Sequence, residues 1–199
     1  MQSKPFIKVS FEIDIHASPE VIFSYLVDPD KITIWGSFEY LGQTSSKATI
    51  EYKGKPGVGT EFTKYIKIEP IQDANIQATT VIIDGIISQY NPPFLLELES
   101  SVGKKTWFQT VTYDLYTLTP IEEGTRLRLD SKVCLKHKDV EYVSNIVLRL
   151  LQLIITTSAY ISYLIIKKFF ALMFYFQLKG AMKIPFRKLK QSIEATLPN

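Results

Sequence analysis

Residues 7–16 read IKVSFEIDIH. Ile7, Val9, Phe11, Ile13 and Ile15 alternate with Lys8, Ser10, Glu12, Asp14 and His16. Successive side chains of a strand point to opposite faces, so strict alternation predicts a strand with one apolar and one wet face. The pattern returns later: Leu127, Leu129, Ser131, Val133 and Leu135 take one side, and Arg126, Arg128, Asp130 and Lys132 take the other. A sheet with a wet face is antiparallel, and its apolar face needs a cover. The C-terminal segment can supply one. Phe186, Leu189, Ile193 and Leu197 share one face of an amphipathic helix, while Arg187, Lys188, Lys190, Gln191 and Glu194 face water.

Between these ends the chain alternates strand and turn chemistry. Ser18 is a good N-cap, Pro19 suits the first helical position, and Glu20 sits where the helix dipole favours a negative charge. Val21, Ile22, Tyr25 and Leu26 share a helix face, and Asp28-Pro29-Asp30 breaks that helix and starts a second, short one ending near Gly36. Turns are expected at Gly54–Gly59, Gln72–Asn75, Asn91–Pro93, Gly103–Lys105 and Glu122–Gly124. The segments GTEFTKYIKIE, IQATTVIIDGIISQY, FLLELES, TWFQTVTYDLYTLT and TRLRLDSKVCL between them read as strands. From Val140 the period becomes helical, with Gly180 a stop and Pro185 a restart. Strand, two short helices, about six strands and a closing helix predict an α+β fold, with a curved antiparallel sheet gripping a long C-terminal helix. The 199 residues suit a single domain over 1–199.

This order of elements resembles the helix-grip fold of the START-like (SRPBCC) superfamily, which contains polyketide cyclase/dehydrase, lipid-transport and birch-pollen-allergen types. FEIDIHASPEVIFSYLVDPDKITIWG is similar to that family's first strand and helix pair. GKPGVGTEF, SQYNPPFLLELES, EEGTRLRL and LKQSIEATL match further pieces in the same order. The resemblance covers about residues 5–140 and 181–197 and departs at 143–180, which is longer and more apolar than that part of the family. It implies a cavity between sheet and helix that takes a hydrophobic small molecule such as a lipid, sterol, quinone or polyketide. The family has no universal catalytic motif to carry over.

The residues themselves limit the chemistry. GKPGVGT at 54–60 is Gly-rich but lacks the Gly-Lys-Ser/Thr ending of a phosphate loop. The two histidines, His16 and His137, have no close metal-ligand partners in sequence, so no metal and no cofactor is expected. Cys134, the single cysteine, falls on the wet face of its strand, away from any cavity, and is no nucleophile candidate. Lys64 shares parity with Phe62, Ile66 and Ile68. It either points inward, where it could hold a carboxylate or lipid head group, or snorkels out at the cavity mouth. Asp84, in VIIDGII, is odd amid apolar neighbours, and the following Gly points to a bulge or a close backbone approach. The cavity is expected to involve Trp35, Phe38, Phe62, Lys64, Ile66, Leu96, Leu98, Trp107, Tyr113, Leu127 and Leu129. No catalytic constellation emerges. Binding or transport of a hydrophobic molecule is therefore the expected function, with a cyclase-, aromatase- or dehydratase-like enzyme using the same cavity as the alternative.

Charge is unevenly placed, with 15 Lys/Arg against 18 Asp/Glu over 1–140 and 8 against 2 over 141–199. Basic and apolar character thus coincide at the C-terminal end, which favours an anionic lipid surface over nucleic acid. The most apolar stretch is VLRLLQLIITTSAYISYLIIKKFFALMFYFQL, from Val147 to Leu178. Its longest uncharged run, Leu150–Ile166, spans roughly 25 Å as a helix, at the lower limit for crossing a bilayer. Three readings stay open for it: a transmembrane helix, a membrane-surface or homodimer-forming helix, and a buried extension of the gripped helix. In the second, Leu150, Ile154, Ile161, Phe169 and Phe170 make the contact. With no secretory signal and no disulfide, a cytoplasmic location, with membrane association through 143–180, is expected.

Overall fold

A computed structural model describes residues 7–36, 39–40, 43–44, 46–68, 70, 78–102, 108–137 and 183–197. Strand β1 (Ile7–Ile15) leads into helices α1 (Pro19–Val27) and α2 (Pro29–Trp35). A small ladder of β2 (Glu39–Tyr40) and β3 (Gln43–Thr44) follows. Then come β4 (Ser46–Tyr52), β5 (Glu61–Ile68), β6 (Thr79–Asn91), β7 (Leu95–Val102), β8 (Phe108–Ile121) and β9 (Gly124–His137). The described part of the closing helix, α3, covers 183–194. The long strands form one curved sheet in the order β1-β9-β8-β7-β6-β5-β4, antiparallel throughout. This is the α+β, helix-grip arrangement expected from sequence.

The alternation translates directly into register. Ile7 pairs with Val133, Val9 with Ser131, Phe11 with Leu129 and Ile13 with Leu127, so both apolar sets face inward. On the wet face Arg126 makes two hydrogen bonds to the Asp14 carboxylate, at 2.7 and 2.9 Å. Arg128 reaches Glu12 at 3.2 Å and Asp130 at 2.7 Å. These pairs are solvated, and their weight is in holding register rather than in stability.

The helix pair forms as its capping residues dictate. Ser18 Oγ accepts the Val21 N–H at 3.5 Å, and α1 buries Ile22, Phe23, Tyr25 and Leu26. Asp28 serves both helices: its N–H closes α1 on Ser24 O at 3.0 Å, and its carboxylate accepts the Asp30 N–H opening α2, also at 3.0 Å. Turns appear as expected at Gly54–Gly59, Asn91–Pro93 and Glu122–Gly124; those at Gln72–Asn75 and Gly103–Lys105 lie outside the described residues. The edge strand β4, SKATIEY, was not singled out by sequence, because only Ala48, Ile50 and Tyr52 carry its inward side.

Helix α3 lies on the inner face. Phe186, Leu189 and Ile193 are buried, and the Phe186 ring meets Phe11 edge-on at 4.8 Å and stacks over Tyr116. Its polar side is tied to β1 and α1. Glu194 accepts the His16 N–H at 3.2 Å, Lys190 donates to Asp14 O at 2.9 Å, and Tyr25 donates to Ser192 O at 3.4 Å. Gly124 turns the β8–β9 hairpin at φ +139°, against the backbone of Ile15 and His16, where a side chain would collide.

Leu189 is fully buried, so Leu189→Ala should cost about 2–5 kcal/mol in urea unfolding. Ile34→Ala, at a site 56% exposed, should stay within about 0.5 kcal/mol. Equal effects would contradict this placement of the core.

Candidate ligand cavity

The cavity lies over short side chains on the inner face of the sheet. Across β5, β6, β7 and β8 the inward positions Phe62, Gly85, Ser100 and Thr112 stand in register. Gly85 has no side chain, and the Phe62 ring lies over it so closely that a Cβ there would clash. Ser100 and Thr112 are short. Larger residues surround this row, and Leu26, Ile32 and Trp35 roof it from the helices. A hollow of about 280 Å³ remains. Trp35 is held rigidly, since its indole N–H donates to Tyr25 O at 2.8 Å.

Of the residues expected from sequence, Trp35, Phe62, Lys64, Ile66 and Leu98 line the cavity. Leu96, Leu127 and Leu129 do not line it: they face inward but are packed solid in the core that includes Phe186, Leu189 and Ile193 of α3. Tyr113 is on the opposite face, where its hydroxyl donates to Glu99 Oε1 at 3.4 Å. The error has a clear origin. Strand β8 carries apolar residues at both parities, Val111, Tyr113 and Leu115 against Tyr116 and Leu118, so alternation alone is ambiguous. Phe38, Trp107 and the contact residues Leu150, Ile154, Ile161, Phe169 and Phe170 lie outside the described residues, as does all of 143–180. Among the described residues no helix is long and apolar enough to cross a membrane.

Asp84 also faces away from the cavity. Its carboxylate accepts the Thr63 hydroxyl at 3.0 Å, beside an outer hollow whose wall includes Lys53, Glu61 and Glu99. That hollow is larger, about 410 Å³, but ionised side chains make it a poor receptor for an apolar molecule. Cys134 is on the outer face as expected, yet it is buried rather than wet. Among the described residues no group of three His, Cys, Asp or Glu could hold a metal ion.

The residue that sequence reading missed is Asp114. It lines the cavity wall with Lys64, Thr112, Tyr116 and Ser131. A signal for it existed. The tight turn joining Ile121 to Gly124 sets the β8–β9 register, which places Asp114 opposite inward-facing Ser131. Both Lys64 and Asp114 keep some accessible surface, and that surface is cavity wall.

Burial holds the Lys64 ammonium below the usual lysine range, with the Asp114 carboxylate opposing that shift. Burial likewise pushes Asp114 up, against a hydrogen bond from Ser131 and the charge of Lys64. Tyr116 is raised by burial, then by the charges of Asp114 and Tyr52. Tyr52 is pushed up to about 12, mostly by burial. Among the described residues, Asp114 Oδ1 and Tyr52 OH are buried polar atoms without a hydrogen-bond partner. An unmet buried acceptor of this kind costs about 1–3 kcal/mol.

The folded value of Asp114 lies above its ordinary 3.8, so ionisation opposes folding. The folded state therefore loses stability as pH rises from the unfolded value through the folded one. Asp114→Asn removes that titration. Its stability relative to the parent should climb as pH is raised above 3.8, read by urea unfolding across pH. Lys64→Met should steepen the parent's loss, because it removes the opposing charge. A pH-independent difference would contradict the buried placement.

No family model matches the chain, and no curated protein matches it in sequence. Solved structures do match. A Rhodobacter sphaeroides protein aligns over 99% of this chain and 100% of its own, at 15% identity and a TM-score of 0.60. An Arthrobacter aurescens protein aligns over 95% and 87%, at 13% identity and a TM-score of 0.60. DynU16, a protein of the dynemicin biosynthetic locus, aligns over 96% of this chain and 48% of its own, at 13% identity and a TM-score of 0.50. Likenesses at these identities show the fold alone: the chain shares a sheet-dominated α+β architecture compatible with the helix-grip type.

Proposed function

We propose that the protein binds a hydrophobic small molecule, of lipid, sterol, quinone or polyketide-like character, in the cavity between sheet and helices. The observation that carries this reading is a mainly apolar hollow of about 280 Å³ with a polar wall that includes Lys64, Asp114, Thr112 and Ser131. Ligand sites are mostly apolar, of roughly 300–1,000 Å³, with a few polar groups that orient the guest. The described walls enclose about 280 Å³, just below that range. The resemblance of residues 5–140 and 181–197 to START-like proteins supports the same reading, and membership of that superfamily is part of the proposal. Carriage of the guest to or from a membrane surface, by way of 143–180, belongs to this proposal as well.

A second reading is favoured by one observation. A carboxyl with a raised pKa inside a cavity is the equipment of a general acid or base, and Asp114 is such a group. The enzyme alternative, a polyketide cyclase or dehydratase type, therefore rests on Asp114 and Lys64 rather than on Asp84 or Tyr113. The place of DynU16 in the dynemicin biosynthetic locus lends it some support.

Native mass spectrometry of protein from its own cells, followed by solvent extraction, tests both. Binding predicts an adduct that is extracted and returned unchanged after rebinding. Turnover predicts a changed mass. Leu98→Trp, which fills the cavity, should weaken binding of a neutral fluorescent probe by about tenfold or more while the folded spectrum is retained. Undiminished probe binding in that variant would sink the cavity reading.

A further inference from the structure

Resting on the cavity reading above, we infer that the ligand is uncharged and carries a hydroxyl-type polar end, an alcohol, phenol or enol, that bonds to the Lys64–Asp114 wall. A carboxylate such as a fatty acid is the wrong guest.

The argument begins with net charge. Lys64 alone, facing an apolar cavity, would select an anion. Asp114 shares that wall, and each group's ionisation is favoured by the other. The pair is either charge-separated or, after one proton passes from Lys64 to Asp114, neutral on both sides. Its net charge is zero in both forms. A carboxylate brought into the cavity would face Asp114 at low dielectric and lose its hydration with no net opposite charge to replace it. An ammonium guest would meet Lys64 in the same way.

Hydrogen-bond capacity narrows the class further. Asp114 Oδ1 has no hydrogen-bond partner among the described residues, and the hydroxyls of Thr112 and Ser131 share its wall, so this wall offers acceptors and donors together. The Lys64 ammonium on the same wall is a donor group. A hydroxyl is both donor and acceptor at one atom. The remaining wall, from Ile66 and Ile83 to Leu98 and Trp35, takes an apolar body. A site built to bond a hydroxyl discriminates strongly against an analogue that cannot satisfy its buried groups.

The test uses four probes of one shape at neutral pH: naphthalene, 1-naphthol, 1-naphthoate and 1-naphthylmethylammonium. Titration calorimetry on the full chain should rank naphthol first, about tenfold or more ahead of naphthoate. Asp114→Asn, which uncovers the charge of Lys64, should raise naphthoate affinity by about tenfold. Lys64→Met should do the same for the ammonium probe. Circular dichroism reports whether each variant is folded; if one is not, the order in the unmodified protein decides. Naphthoate binding as tightly as naphthol, or an unchanged order in Asp114→Asn, overturns the inference. Naphthalene binding as tightly as naphthol overturns it too, but leaves the cavity reading standing. Failure of all four probes overturns both.

Discussion

The inner face of the seven-stranded sheet has to be covered, and the covering elements do so unequally. Toward one end, Phe186, Leu189 and Ile193 of α3 meet Phe11, Leu127, Leu129 and Tyr116 and leave no space. Toward the other, α1 and α2 arch over positions where the sheet offers only the short side chains of Ser100 and Thr112. Close packing is the rule in protein interiors, so a hollow persists only where rigid elements prevent collapse. Here the double role of Asp28 and the bond from the Trp35 indole to Tyr25 keep the helix pair in place. The cavity is thus a consequence of small residues beneath a stiff roof.

The polar wall runs against the same packing logic. Burying a lysine and an aspartate costs more than burying two apolar residues of similar size, so the pair weakens the fold it belongs to. Sites where local rules are broken without structural gain are where function is expected. The outer face shows the contrast: there Asp14, Glu12 and Asp130 meet Arg126 and Arg128 in water, and the pairing is ordinary surface chemistry.

Much of the architecture was readable in the chain. The alternation in β1 and β9 set both inner faces, the Ser18-Pro19 start and the Asp28-Pro29 break located two helices, and the stripe Phe186–Leu189–Ile193 marked the gripped helix. Lys64 was readable as an inward candidate, because Phe62 and Ile66 share its parity, but parity left open whether it points into the cavity or out at its mouth. Tyr113 was put on the wrong face and Asp114 was overlooked because β8 is apolar on both sides, and a one-position shift exchanges every side chain between faces. Leu96, Leu127 and Leu129 were placed on the correct face but in the wrong layer, since parity says nothing about what lies above a residue.

The sequence by itself determined which residues alternate, where helices start and stop, and that one face of the sheet must be buried, because these follow from local geometry and hydrophobic period. Only the tertiary structure decided that Asp114 shares a cavity with Lys64, since the two lie on strands separated by β6 and β7 and 50 positions apart in the chain. It also decided that Ser100 and Thr112 stand side by side on the wall of the hollow. Both depend on strand order and curvature, which arise from pairing across the whole sheet rather than from any segment within it.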